Sequence, residues 1–592
     1  MAAGITERNL HCWRCATVNP AGDKFCQGCG ASLVQRDNTT RYLCAAAQLS
    51  EVYANTAIRE FLVEPLRAIP PAPGVDTTSV LREAVAARAR RRIRDGVLLI
   101  LLAALLIANP VLFVPWLVFA LVLALLLGRF VISRRSAIIA VVVVVIGAVI
   151  VSALGALGFA AFAIFSSLGS SRSSGSYGGG YPGGYPGSYD PGGSDTSAGS
   201  GFLTLDLIIT LLLLLAIVAV LVVDEFAVHY LVFSRFRRND FLPDGRTSRH
   251  EWERRLRGLG LPTFHLPLNR VAATEQAGDR ADDADVVVHR GFSPFIGAGV
   301  PVHGQVIALA LESSDVDEAP EPISVTGLHE HVAAAINRLR STSTLGPGRR
   351  LEELVRREQV LIPADRLVID HRTVPEILPT LDHAPSSRIT AEQARSLADA
   401  AVEWARYYSC YRVEAWDRDL TTSCYVHAGT DQKMLFLEWQ FFALLPIMPG
   451  FRAIDEYRDP LLAPVKSSLL EILVLPATIV RRAVSVFRRF TPLKQGVNEV
   501  MPAKYGADRS LREYAQADRV QSYFQDVDVE RYVRILDSTL FRAVGEYLQD
   551  RGYSVVEFMK LADPQVNNYN LQGSTLVDSA VGTRSSVNNK KG

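Results

Sequence analysis

Charged residues are scarce in this chain of 592 residues: Asp, Glu, Lys and Arg together make up 21%. The two signs nearly cancel, with 62 basic and 61 acidic side chains and a formal net charge of +1. A dedicated nucleic-acid binder carries a large basic excess, so nucleic acid is not the expected partner. Lysine is scarcer still, eight residues against 54 arginines. That skew fits a GC-rich bacterial genome. Common enzyme signatures are missing too: neither HExxH nor GxSxG occurs, and no Walker-type loop does.

Apolar residues are what the chain has in plenty, at 49%, with a mean hydropathy of +0.15. They concentrate in three blocks, over 97–127, 137–165 and 202–223. A single crossing of a bilayer needs about 20 apolar residues. The third block fits one helix, and the second fits one tilted helix. The first is too long and holds Asn109-Pro110 in its interior, so it is expected to turn there as a hairpin. Arginines flank the blocks at 88, 90–92 and 94, at 129, 134 and 135, and at 235, 237 and 238, while the stretch between the second and third blocks has only Arg172. Basic residues stay on the cytoplasmic side. The pattern therefore predicts four crossings, cytoplasmic N- and C-termini, and one external Gly/Ser/Tyr-rich loop over 168–201 with nothing to bury. No charged residue lies deep inside a block, which favours an anchor or sensor over a transporter.

Four of the seven cysteines fall in the first 30 residues, as Cys12-x-x-Cys15, ten residues, then Cys26-x-x-Cys29. Two tight CxxC turns can point four thiolates at one centre, the soft tetrahedral set that suits structural Zn²⁺. A module this short cannot bury a core and would take its folding energy from the metal. With Asn19-Pro20, Phe25 and Gly30, the stretch resembles the zinc ribbons at the N-termini of many bacterial proteins. Asn19 also stands where certain RNA-binding zinc fingers keep an Asn. Their Trp before the first Cys is Leu10 here. Cys44, Cys410 and Cys424 are expected as free thiols.

Residues 234–592 read as mixed α+β. Strand, Gly-rich turn, strand fits VVVHRGFSPFIGAGVPVHGQVIALALE, and a helix fits GLHEHVAAAINRLRS. Runs rich in Tyr, Val, Phe and Trp around 407–416, 420–429 and 433–446 predict an antiparallel meander. The turn Phe295–Gly299 resembles the FxGAG opening of sirtuin-like NAD-binding domains, although QVIALALE after it alternates like a strand. The resemblance implies a phosphate held by backbone N–H groups. His329 and His331, two apart on a helix, face different ways and make a poor metal pair. The segment 467–490 is kinked by Pro476 and then amphipathic. Ile479, Ala483, Val486 and Phe490 lie on one side, with Arg481, Arg482, Arg488 and Arg489 mainly on the other, as in a helix lying on an anionic leaflet. The tail resembles, by composition, the Asn/Gly motifs of bacterial amyloid-signalling tails.

The expected architecture is multi-domain: an N-terminal zinc ribbon (1–33), a helical cytoplasmic stalk (38–95), an α-helical transmembrane domain (96–233), a C-terminal cytoplasmic α+β domain with an antiparallel meander (234–563) and an Asn/Gly/Ser-rich tail (564–592). In outline the chain resembles uncharacterised actinobacterial multi-pass membrane proteins with an N-terminal zinc ribbon. The expected role is a non-enzymatic scaffold or sensor in the bacterial plasma membrane. Its partners would be the lipid bilayer and a protein bound through the ribbon or the C-terminal domain, with a homo-oligomer left open. Two alternatives stay open: an enzyme or nucleotide-binding protein with its site at 295–299, and RNA binding through the ribbon.

Overall fold

A computed structural model describes residues 10–11, 18–19, 27, 38–126, 197–236, 241, 250–277, 283–341, 351, 354–455, 468, 471–488 and 501–561, apart from 316, 318, 400–401 and 417. The described chain falls into two compact units. One takes Met1–Arg88, Val232–Tyr457 and Phe490–Gly592; the other takes Ala89–Leu231 and Arg458–Arg489.

The helices of the N-terminal half are α1 (Asn38–Leu49), α2 (Glu51–Ile58), α3 (Thr77–Ala108), α4 (Pro110–Leu126) and α5 (Ser197–Tyr230), followed by α6 (Glu251–Gly258) and α7 (His265–Ala277). Then come β1 (Asp283–His289), β2 (Val300–Ala310), α8 (Val325–Ser341), β3 (Leu354–Pro363), β4 (Arg388–Thr390), α9 (Ala391–Asp399), β5 (Arg406–Ala415), β6 (Leu420–Thr430) and β7 (Met434–Leu444). The chain closes with α10 (Ile479–Phe487), α11 (Tyr523–Asp550) and α12 (Val556–Leu561).

The larger unit is built on one seven-stranded sheet in the order β2-β7-β6-β5-β3-β1-β4. All pairings are antiparallel except β1 with β3, which run parallel, Val286 opposite Val360. Alternation along each strand sorts the side chains to two faces. One face carries Val360, Tyr407, Tyr411, Val426, Leu437 and Trp439, and forms the main core with Leu328 and Val332 of α8 and Leu536 and Leu540 of α11. The opposite face carries a smaller cluster that includes Leu361, Tyr408, Cys410, Tyr425 and Phe442. Residues 38–88, read as a stalk, contribute buried Leu43, Tyr53 and Phe61 to this unit. Arg41 pairs there with Asp455 at 2.7 Å. The Glu275 carboxylate accepts from the backbone N–H of Thr77 and Thr78 and anchors the start of α3, whose first amides have no helical partner.

The smaller unit is helical. Pro110 has no N–H to give, so α3 stops at Ala108. The Asn109 side chain accepts from the Leu112 amide at 3.1 Å and starts α4. Contacts from α3 to α5 run in opposite order along the two helices. Asn109 meets Thr210 at one end and Arg94 meets Asp224 at the other, at 3.5 and 3.0 Å, so these helices are antiparallel. Leu98, Leu102, Leu105, Phe113, Ile217, Leu221 and Leu475 pack between them.

Three expectations are corrected. The multi-span transmembrane domain reduces, among the described residues, to one helix long and apolar enough to cross a bilayer, Leu207–Phe233; the block at 97–127 is divided by Asn109, and its second part is too short for that test. The block at 137–165 and the loop at 168–201 lie outside the described residues, apart from the helical start of α5 at Ser197. A folded zinc ribbon is not shown. The described part of 1–33 is Gln27 and a two-residue ladder, Leu10–His11 against Val18–Asn19, far too small to bury a core. The described residues contain no His/Cys/Asp/Glu group able to hold a metal ion, and Cys12, Cys15, Cys26 and Cys29 lie outside them, as does the tail from 564. The separate antiparallel meander is instead three strands, β5 to β7, of a larger mixed sheet with a parallel pair at its other side.

Candidate functional site

The Gly-rich turn lies between β1 and β2. Gly297 and Gly299 take φ of 87° and 91°, a region that L side chains rarely adopt. A Cβ on Gly299 would stand 2.3 Å from the Ala443 carbonyl oxygen. The turn leaves backbone N–H groups pointing at one spot, as an anion site requires. That spot is already filled. The Glu513 carboxylate accepts from the Gly299 N–H at 3.1 Å and the Ser510 N–H at 2.7 Å, and it also bonds the Gly297 backbone. Burial pushes this carboxyl above its ordinary range, while the N–H donors pull it back. A phosphate would have to displace a built-in anion. Phe295 of the same turn is spent on packing, with ring centroids 4.6 Å from Phe442 and 4.9 Å from Tyr425.

A second polar group lies beneath α8. His329 is 2% exposed, and neither ring nitrogen has a hydrogen-bond partner. Its ring meets Tyr407 edge-on at 4.9 Å. Burial first, then the positive charges of His427 and Arg356, lowers its pKa to about 3. At neutral pH it is an uncharged imidazole and too weak a base for general catalysis. Beside it on β3, Arg356 and Glu358 pair at 3.2 Å, and Arg395 of α9 reaches the same Glu358 oxygen at 3.0 Å. His331 turns instead to Tyr547, 5.5 Å away, as a two-residue offset on a helix implies. The clue available in sequence was a charged pair, Arg356 and Glu358, in step with the core residues Val360 and Ile362.

A third set joins β2, β7 and α11. The indole N–H of fully buried Trp439 donates to Asp537 at 2.9 Å. Burial raises the Asp537 pKa and lowers that of His303, and each charge opposes the other's shift. The β6 strand separates the remaining residues of interest. Cys424 points into the main core, while His427 lies against Tyr408 on the other face at 5.2 Å. Cys44, Cys410 and Cys424 are buried and form no disulfide, and burial pushes the Cys410 thiol up to about 11. Such thiols are poor nucleophiles.

Residues 304–581 match the AbeC-like domain. The match begins inside β2 and takes in α8, the rest of the sheet from β3 onward except β1, and α11. The His329 group lies within it, as do Trp439 and Asp537, while His303 stands one residue before it. The Gly-rich turn lies before it, although Glu513, which fills that turn, falls inside. No curated protein and no solved structure matches the chain.

Proposed function

We propose that the chain is a non-enzymatic scaffold or sensor anchored at a lipid bilayer, with its AbeC-like region as the part that meets a protein partner. The observation that carries the anchor is the helix Leu207–Phe233. Only 17% of its most apolar window is buried within the protein, and Leu211 and Leu215 are each 65% exposed. A water-facing helix with that surface would cost on the order of 1.5–3 kcal/mol for each large side chain left in solvent, a cost a bilayer removes. The case for a non-enzymatic role rests on how the polar groups are used. Glu513 closes the Gly-rich turn, His329 is held neutral, and Asp537 is engaged with Trp439.

Vesicle flotation of the full chain tests the anchor. Wild-type protein is expected to float with phospholipid vesicles in high salt, and the triple variant Ile208→Lys, Leu211→Lys, Leu215→Lys to stay at the bottom of the gradient. Equal flotation of the two would refute the assignment of this helix.

A further inference from the structure

The segment 471–488 lies far along the sequence from the helices with which it shares the smaller unit. The amphipathic pattern places its arginines mainly on a solvated side, but the structure buries one of them. Arg482 is fully buried, at 1% exposed. Its guanidinium binds Asp95 and reaches Glu471 at 2.6 Å. Asp95 also takes Arg94 at 2.9 Å, and Arg94 bridges to Asp224 at 3.0 Å. These charges mark the polar end of the apolar helix, because Asp224 closes the run that begins at Leu207. Toward the other end of the segment, Leu475 is fully buried among Leu98, Leu105 and Ile217. The segment therefore touches both layers of its unit, the apolar one at Leu475 and the charged one at Glu471 and Arg482.

Its outer side is apolar. Val480, Val484 and Phe487 are 75%, 53% and 78% exposed and fall at i, i+4 and i+7, one face of α10. Arg481 and Arg488, both exposed, form the neighbouring stripe with half-buried Ser485 between them. An apolar stripe edged by arginines, at the level where a spanning helix becomes charged, has the chemistry of a bilayer interface carrying anionic headgroups.

We infer that 471–488 is a wedge set into an anionic leaflet, with Val480, Val484 and Phe487 among the acyl chains, Arg481 and Arg488 at the headgroups, and Arg482 locking it to Asp95. This rests on the bilayer-anchor reading and adds a second, sequence-distant membrane element and a lipid preference.

The test places a photoreactive benzoylphenylalanine at position 211, 480 or 487 of the full chain in proteoliposomes of phosphatidylcholine with phosphatidylglycerol. Lipid adducts are expected at all three positions. At 487 the yield should fall about threefold when phosphatidylglycerol is left out or when Arg481 and Arg488 are both changed to Gln. Adducts at 211 without adducts at 480 and 487 would overturn the wedge while sparing the anchor. Absence of adducts at all three would overturn the anchor itself. Adducts to a second copy of the chain at 480 or 487 would replace the lipid with a protein interface and overturn the wedge. A yield at 487 that ignores both the lipid and the arginines would overturn the anionic preference.

Discussion

At the scale of single residues, buried groups without alternatives decide the most. His329 is neutral in the folded protein, with a pKa of about 3, and ionises near 6.5 when unfolded. The unfolded chain binds the proton first, so stability falls as pH drops below about 6.5 and continues to fall towards 3, by up to about 1.4 kcal/mol per pH unit. Thermal unfolding of the full chain should therefore show a larger loss between about pH 7 and about pH 5 in wild type than in His329→Leu. Identical pH dependence would remove His329 from the account. Gly299 gives a second case. Gly299→Ala puts a Cβ against the Ala443 carbonyl at a positive φ and is expected to cost about 2–4 kcal/mol. Gly429→Ala, where a Cβ meets nothing within 4 Å, is expected to leave the melting temperature nearly unchanged.

At the scale of elements, the lock on 471–488 predicts an asymmetry between ion pairs. Asp95→Ala leaves the buried Arg482 guanidinium with Glu471 as its remaining carboxylate and is expected to cost about 3 kcal/mol. Glu530→Ala breaks the exposed pair with Arg534 and should cost only about 0–1 kcal/mol. Denaturant midpoints of the two variants check this, and equal midpoints would count against a structural lock. The same lock shows where the sequence stops being legible. Runs around Tyr407–Ala415, Leu420–Gly429 and Met434–Leu444 announce β5, β6 and β7 because strand propensity and turn residues are local signals. The spacing in GLHEHVAAAINRLRS announces α8 for the same reason. The partners of Arg482 and Gly299 are not local: Asp95 lies 387 residues from Arg482, and Glu513 lies 214 from Gly299. Periodicity counts an arginine as solvated and a Gly-rich turn as open, and only folding brings in the carboxylate that closes each. Residues 512–522 form only a short turn at Glu513–Ala515, where Glu513 binds Gly299 and bonds Ser510 in both directions.

At the scale of the whole molecule, the sequence divides its chemistry between two units. The sheet-based unit spends its polar groups internally and contains most of the AbeC-like match. The helical unit turns large apolar side chains outward on α5 and on α10 and gathers its charges at one end. That division is what a bilayer-held scaffold or sensor needs, and washing membranes with alkaline carbonate tests it most directly. Full-length chain expressed in a bacterial host should stay in the washed membrane pellet, as a protein with an apolar helix in the bilayer does. Release of the wild-type chain into the supernatant, to the same extent as a chain lacking 207–233, would contradict the anchor on which the account rests.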